Sequence, residues 1–495
     1  MLLLNLKRMS KLNKFYIILL CFAGAGCAPA PVLKDPNTSE GIKVSKAFSA
    51  PEAAWPAKDW WVKYQDPQLN DLVALALKDS PDIKIASARF AQSAAVSESI
   101  GSVLYPQLSG NANATAQEFS GNYLFPPSMT PNGWPWTGQA TLNFNWEMDI
   151  WGKNRAALSS SVSAAQAALA DKEQAKLLIS AGVVQTYADL ARAYANRDTL
   201  EKIITIRQKT VDLFSQRQLH GMETKGAVDQ ADAKKVLAKN DLVQTDTQIK
   251  LLKNKIAALI GKSPDFALEI KRPVIDFNYH YALPKQIDVG VLGRRPDVIA
   301  ARWIVESKDA TIYQRKAEFF PNVNLAAFIG FQSLGLNNLV APESHYGSAG
   351  PAIYLPIFQG GRLRANLASA KAGYAESVAN YEKVLVSALQ EVADIGVNMR
   401  ALDEQVSLSN EAVKKATSAL MISKSRYEGG LSNYLNVLIA EDELLNMLRI
   451  QTDINARAFI YDAALNKALG GGYEYTPDIT INEDKRIEEF PNDHP

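Results

Sequence analysis

Two kinds of hydrophobic pattern occur along this chain, and each kind occurs twice. Short segments alternate apolar and polar residues, which is typical of a strand with one apolar and one polar face. The alternating apolar positions are Leu108, Gly110, Ala112, Ala114 and Ala116; Ala140, Leu142, Phe144, Trp146, Met148 and Ile150; Val323, Leu325, Ala327, Ile329 and Phe331; and, more weakly, Ile353, Leu355 and Ile357. The pattern predicts one strand pair at about residues 106–151 and another at about 321–358.

Each predicted strand pair is followed by a long segment almost free of helix breakers. No proline occurs from Thr137 to Ser263 or from Ile357 to Thr476, and Ala, Leu, Lys, Glu and Gln are frequent there. Gly221 and Gly430 interrupt these segments and predict turns between long helices. A helix of roughly 60 residues would span on the order of 90 Å, and charges occur throughout it. We therefore expect helices packed as coiled coils in water.

The two copies also share identities at constant spacing. Pro81, Asp82 and Pro106 recur 215 residues later, and after a six-residue change before Gly152 the offset becomes 209. The residues that have an identical counterpart 209 positions later are Gly152, Arg155, Leu158, Arg217, Gly221, Val228, Ala231 and Gly261. One structural unit built twice is expected, as repeat one (81–261) and repeat two (296–470). Residues 27–80, 262–295 and 471–495 then form an amino-terminal segment, a linker and a tail.

The alternating strands fit two kinds of sheet. One is a half-buried hairpin of a soluble protein; the other is a membrane barrel with a wet lumen, whose sequence signal is weak in each strand. Aromatic residues near the first hairpin tip would form an interfacial girdle in the second case. They are Tyr123, Phe125, Trp134 and Trp136.

The amino terminus has the features of a secretory signal peptide over residues 1–26. Four cationic residues precede the apolar run from Phe15 to Ala25, which is too short to span a membrane. Ala25-Gly26-Cys27 resembles the lipobox of bacterial lipoproteins, in which the cysteine is acylated, although Gly24 stands where that motif usually has Leu. Ordinary cleavage after Ala30 is the alternative. Because Cys21 and Cys27 are the two cysteines, the body of the chain has no disulfide or thiol site.

Composition gives no sign of catalysis or of nucleic-acid binding. The formal charge of +1 becomes about −3 without the four cationic signal residues. The four histidines are far apart and lack metal-ligand spacing. Glu441, Asp442 and Glu443 are expected on a water-facing helix surface. We predict no enzyme and no cofactor beyond a covalent lipid on Cys27.

Three separated motifs carry a family resemblance. They are Trp60 to Leu69, Leu283-Pro284 followed by Gly293 to Val298, and Arg426 to Leu435. With the duplication, the chain resembles the TolC-like outer-membrane efflux factors, in particular the lipoprotein branch that serves resistance-nodulation-division pumps. The resemblance implies a mostly α, α+β membrane protein: a trimeric outer-membrane β-barrel with four strands per subunit, continued by a long periplasmic α-helical coiled-coil barrel.

The function implied is a passive exit duct for small toxic compounds or drugs. Its expected partners are two further copies of the chain, outer-membrane lipid, a periplasmic adaptor (membrane fusion) protein and an inner-membrane pump of the resistance-nodulation-division type. Alternatives are a type I protein-secretion duct, a periplasmic adaptor and a structural coiled-coil lipoprotein. We expect the protein to be lipid-anchored in the bacterial outer membrane and to extend into the periplasm.

Two groups of site residues follow from the resemblance. The glycine turns, with Gly221, Gly430, Leu431 and Ser432, would meet the adaptor. Leu435, Ile439 and Asp442 share one helix face and would form the periplasmic gate. In the family an Asp commonly stands at the position of Ile439 and an Arg can stand at that of Asp442. An apolar ring with an acidic ring nearby is therefore expected; ordinary helix packing of Leu435 and Ile439 is the alternative.

Overall fold

The alternating and helical segments form four strands and seven α-helices in the computed structural model, which describes residues 56–122, 126–274 and 294–474. The described helices are α1 (Pro67–Asp79), α2 (Pro81–Gly101), α3 (Lys153–Leu219), α4 (Lys225–Leu259), α5 (Pro296–Ala317), α6 (Arg362–Glu428) and α7 (Tyr434–Ala468). The strands are β1 (Gln107–Ala116), β2 (Trp136–Met148), β3 (Asn322–Leu334) and β4 (His345–Tyr354). The fold is mostly α with one sheet, as predicted.

The duplication is visible in the lengths of the long helices. Both α3 and α6 have 67 residues, and both α4 and α7 have 35 residues. Their starts are 209 residues apart, as the sequence identities require. The change of offset falls between the two strands of each pair, so the connecting segment differs in length while the flanking elements keep register.

The described residues divide into two compact units. One comprises Phe90–Ala167 and Ala301–Tyr381, which include the four strands; the other comprises Ala168–Ala300 and the described parts of Gly41–Arg89 and Glu382–Pro495. Cys27, Tyr123, Phe125, Leu283 and Pro284, which the sequence singled out, lie outside the described residues.

The four strands form one antiparallel sheet in the order β1-β2-β3-β4. Leu108 pairs with Phe144, and Leu142 pairs with Ile329. Because paired residues point to the same side of a sheet, the apolar positions of the pattern fall on one face. Leu108, Leu142 and Ile329 are 64%, 45% and 64% exposed in this chain. This face is therefore uncovered by the rest of the described chain.

Two strand ends differ from the pattern. β2 stops at Met148, before Ile150, because Asp149 turns toward the start of α3. Its carboxylate accepts hydrogen bonds from the backbone N–H groups of Asn154 (3.0 Å) and Arg155 (2.8 Å). Burial alone would raise the pKa of Asp149, but these bonds and the Arg155 side chain hold it below its ordinary value. β4 stops at Tyr354, so Leu355 and Ile357 are not part of the sheet.

The amino-terminal motif anchors the core of the second unit. Asp66 caps α1 by accepting from the backbone N–H groups of Gln68 (2.9 Å) and Leu69 (3.2 Å), and it also accepts from the Tyr187 hydroxyl at 2.7 Å. Trp60 and Leu69 are buried in the same cluster as Tyr187. The motif thus ties the start of the described chain to α3.

The motif that opens repeat two has a similar structural role. Arg295 is buried and forms two parallel hydrogen bonds to Asp297, at 3.0 and 2.8 Å. It also donates to Glu391 at 2.9 Å and to the Ala468 carbonyl at 2.8 Å. One guanidinium therefore joins the start of α5 to α6 and to the end of α7, which a lysine could not do with the same geometry.

Candidate functional site at the helical hairpin turns

The two glycine turns join α3 to α4 and α6 to α7, as predicted. Gly221 and Gly430 have φ values of +70° and +72°, and a Cβ at either position would meet nothing within 4 Å. Glycine is therefore favoured at both positions because of the positive φ, and not because a larger side chain would clash. Thr224 and Asn433 begin the following helices by accepting hydrogen bonds from backbone N–H groups. The two turns are equivalent in structure as well as in sequence.

An aromatic cluster holds the two hairpins together beside the turns. Phe214 of α3 lies 5.3 Å from the ring of Tyr427 and 5.8 Å from that of Tyr434, both in edge-to-face geometry. Phe214 and Tyr427 are 0% and 2% exposed. The buried residues packed around them, from both repeats, are Val211, Ala227, Ala231, Val437 and Leu438. Burial of this apolar surface stabilises the contact between the repeats.

Tyr427 of the aromatic cluster also makes polar contacts with the first repeat. The Tyr427 hydroxyl donates a hydrogen bond of 2.5 Å to Glu223, which lies in the other turn. The Arg217 guanidinium lies 4.5 Å from the centroid of the Tyr427 ring. Burial, followed by the hydrogen bond to Glu223, raises the pKa of Tyr427, so the hydroxyl keeps its proton as a donor at neutral pH.

The predicted gate residues lie just beyond this cluster, on α7. Leu435 and Ile439 are 45% and 58% exposed in this chain. Neither is packed into the described interior, in contrast to their neighbours Val437 and Leu438, which are 1% exposed. Among the predicted docking residues, Leu431 is 75% exposed, and Ser432 accepts a hydrogen bond of 3.2 Å from the Asn436 amide.

Asp442 belongs to an ion cluster that the sequence did not reveal. Arg207 of α3 donates to Asp442 at 2.5 Å and faces the Glu441 carboxylate at 3.0 Å, while Lys234 of α4 pairs with Asp442. Thr210 donates to Glu441 at 2.6 Å. Burial would raise the pKa of Asp442, but the bonds from Lys234 and Arg207 outweigh it and hold the pKa below its ordinary value.

The prediction for Glu441 was wrong. It was placed on a water-facing surface, yet its side chain is 1% exposed. Three successive carboxylates on a helix point in directions about 100° apart, so one of them can face the interior, and here Arg207 and Thr210 give it partners. Arg207 and Lys234 were missed because their partners lie more than 200 positions away.

Neither a metal site nor a helical membrane span is found in the described ranges. They contain no group of three or more metal-ligating side chains. None of the described helices combines the length and hydrophobicity needed to cross a membrane. His220 is exposed at the end of α3.

Comparison with known proteins agrees with the duplicated architecture. Two segments, residues 72–262 and 290–471, match the family described as "Outer membrane efflux protein". The chain is 28% identical over 478 residues to the putative multidrug resistance outer membrane protein MdtQ of Shigella flexneri, covering 93% of this chain and 99% of that protein. It is 34% identical over 324 residues to the fusaric acid resistance protein FusA of Burkholderia cepacia, but that match covers 65% of this chain and 61% of FusA.

A solved structure is similar over most of the chain. The outer membrane protein VceC of Vibrio cholerae superposes with a TM-score of 0.80 and 42% sequence identity, covering 85% of this chain and 100% of VceC. The helical hairpins, the four-stranded sheet and the match of the family model to both repeats lead to one conclusion. The chain belongs to the outer membrane efflux protein family.

Proposed function

We propose that the protein is the outer-membrane channel of a tripartite efflux system and acts as a passive exit duct for small toxic compounds. The observation that carries the proposal is the sheet, whose apolar side chains lie on one face and are exposed in the single chain. Such a face suits lipid, while the opposite polar face suits an aqueous lumen. The long charged helices suit the periplasm. Nothing in this role requires a catalytic group or a cofactor.

The role requires association of several copies. β1 and β4 each have one strand partner in the described sheet, so their outer edges carry unpaired backbone groups. In lipid each such group costs several kcal/mol, which only closure of the barrel removes. Four strands do not close a barrel. We propose a homotrimer, because three is the number of subunits that the family resemblance implies. Its barrel would have twelve strands.

The partners are proposed from the same resemblance. A periplasmic adaptor would meet the glycine turns, and an inner-membrane transporter of the resistance-nodulation-division type would supply the energy. MdtQ is named for multidrug resistance and FusA for fusaric acid resistance. These names favour small toxic molecules over a secreted protein as the cargo.

We also propose that Cys27 is acylated and holds the amino terminus in the outer membrane. Three acyl chains, at about 0.8 kcal/mol per buried CH₂, would make the attachment effectively permanent. Ala28 at the next position favours sorting to the outer membrane by the rule for bacterial lipoproteins. Cys27→Ser should abolish palmitate labelling. A wild-type mature protein that begins at Pro31 without lipid would exclude the anchor.

The proposed function is tested by deleting the gene in its own bacterium and restoring it on a plasmid. Deletion should raise the intracellular accumulation of at least one efflux dye and lower the inhibitory concentration of toxic compounds, and the plasmid should reverse both effects. The protein should fractionate with the outer membrane and migrate as a heat-sensitive trimer. Recovery from the soluble or inner-membrane fraction, with unchanged dye accumulation, would contradict the proposal.

A further inference from the structure

The polar face of the sheet is rich in amides and almost uncharged. Glu147 is the one Asp, Glu, Lys or Arg residue in the four strands, and it is paired with Lys153; His345 of β4 lies on the opposite face. The amide side chains on this face are Gln107, Asn111 and Asn113 of β1, Gln139, Asn143 and Asn145 of β2, and Asn322, Asn324 and Gln332 of β3. The face therefore has little means of selecting solutes by the sign of their charge.

Two aromatic rings that touch each other interrupt the middle of this polar face, and a third, Tyr354, lies on it at the end of β4. Phe328 of β3 pairs with Asn143, and Tyr346 of β4 pairs with Gly330. Phe328 and Tyr346 thus lie on the amide side of the sheet, where an apolar side chain is not expected. Their centroids are 5.1 Å apart with an angle of 62° between the planes, an edge-to-face contact.

A hydrogen bond across a strand holds the rings in place. The Gln139 amide of β2 donates to the Tyr346 hydroxyl of β4, passing over β3. Gly330 lies on β3 beside this contact. A Cβ there would lie 2.1 Å from the Ala140 carbonyl oxygen and 2.8 Å from the Thr141 Cα, so glycine allows the close approach of β2.

The residues next to the rings are small. Ser348 and Ala326 lie on the same face as Phe328, and Gly350 is the strand partner of Ala326. These neighbours leave both rings partly exposed in this chain, beside the amides Asn143 and Gln139. In a closed barrel the pair would therefore face the lumen, and a trimer would present it three times around the duct.

We propose that Phe328 and Tyr346 form an aromatic contact site in the lumen, which binds planar aromatic amphiphiles transiently as they leave. The inference rests on the proposed function, because it requires this face to line a water-filled barrel. Contact with one aromatic ring changes binding by about two- to tenfold. Since the surrounding face is amide-lined and nearly uncharged, aromatic solutes of either charge are bound.

The test uses full-length protein in planar bilayers, with probes added on the side of the sheet end. The probes are naphthalene-2-sulfonate, N-methylquinolinium and the saturated comparator cyclohexanesulfonate. In the wild type, the two aromatic probes should interrupt the current for longer than the comparator does. Phe328→Leu should shorten those interruptions about two- to tenfold for both aromatic probes, whereas Phe328→Tyr should retain most of the effect.

The matched control is Phe331→Leu. Phe331 lies on the same strand but on the opposite, apolar face, and is 38% exposed. In this variant the aromatic probes should interrupt the current for as long as they do in the wild type. Two results would overturn the aromatic site without affecting the proposed duct. One is equal interruption times for aromatic and saturated probes in the wild type; the other is unchanged interruption times in Phe328→Leu. Failure of the wild type to conduct at all would instead reject the proposed function and this inference with it.

Discussion

Arg207 donates a hydrogen bond of 2.5 Å to Asp442 and thereby joins α3 of the first repeat to α7 of the second. The same guanidinium faces the buried carboxylate of Glu441 at 3.0 Å, and Lys234 of α4 pairs with Asp442 from the other side. Two cations and two carboxylates therefore meet beside Ile439, the proposed gate residue. The Asp442 side chains of a trimer would therefore not form an isolated acidic ring, because each carboxylate is paired with two cations of its own chain.

The first prediction concerns ion selectivity. Asp442→Asn should lower the preference of the channel for cations, because Lys234 and Arg207 then lack one carboxylate. Lys234→Met should raise that preference for the opposite reason. Both effects should shrink at high salt, since the Asp442 side chain is 46% exposed. Reversal potentials in a salt gradient measure the change, and shifts of the same sign in both variants would contradict the ion cluster.

The second prediction concerns pH. The pKa of Asp442 lies below its ordinary value, so its contribution to stability is present above the pKa of the unfolded chain and is lost as the pH falls through the lower folded value. We expect no change of this contribution between about pH 5 and 8, and its loss below about pH 4. The observable is the difference in thermal unfolding between wild type and Asp442→Asn. A difference that vanishes near neutral pH would be inconsistent with these pairs.

The third prediction concerns the buried carboxylate. Glu441→Ala removes the carboxylate that accepts from Thr210 and faces Arg207, while Arg207 keeps Asp442 as a partner. The change should destabilise the protein by about 1 to 3 kcal/mol, because buried polar groups lose a partner. Glu443→Ala is the matched control, because Glu443 is exposed on the same helix; its effect should stay within about 0.5 kcal/mol. Denaturant unfolding of the two variants gives the comparison. Equal stability would show that Glu441 has no structural role.

Local pattern and duplication were sufficient to predict the long helices, the two strand pairs and the turns, but not the helix α1 or the ends of β2 and β4. The 3.6-residue and two-residue periods are properties of neighbouring residues, and Gly221 and Gly430 mark the turns directly. Glu441 shows where such prediction stops. Its burial depends on Arg207, which is far away in sequence, and neither residue recurs at the duplicate position: Ala416 and Asp232 stand there. Pairings between the repeats, such as Tyr427 with Glu223, are likewise not encoded in local spacing.

The fourth prediction concerns docking at the turns. Gly430→Asn adds a side chain in open space. Asn tolerates a positive φ better than most residues other than glycine. If the adaptor needs the bare backbone, this variant should lose adaptor crosslinking and drug resistance but retain trimers. Gly152→Asn is the control: its φ is +73°, and its Cβ would meet one atom, of the flexible Arg155 side chain, at 3.6 Å. Normal crosslinking by Gly430→Asn would exclude a docking role for this glycine.

The predicted gate at Ile439 is tested most directly by the conductance of single channels in planar bilayers. Ile439→Ala should raise the resting conductance severalfold without loss of trimers, because three shorter side chains widen an apolar constriction and let water enter. Ile450→Ala is the control, since Ile450 is also partly exposed and lies near the same face of α7, about 16 Å farther along the helix. Its conductance should equal that of the wild type. Equal conductance of all three proteins would contradict a gate at Ile439, and the absence of any channel would contradict the duct itself.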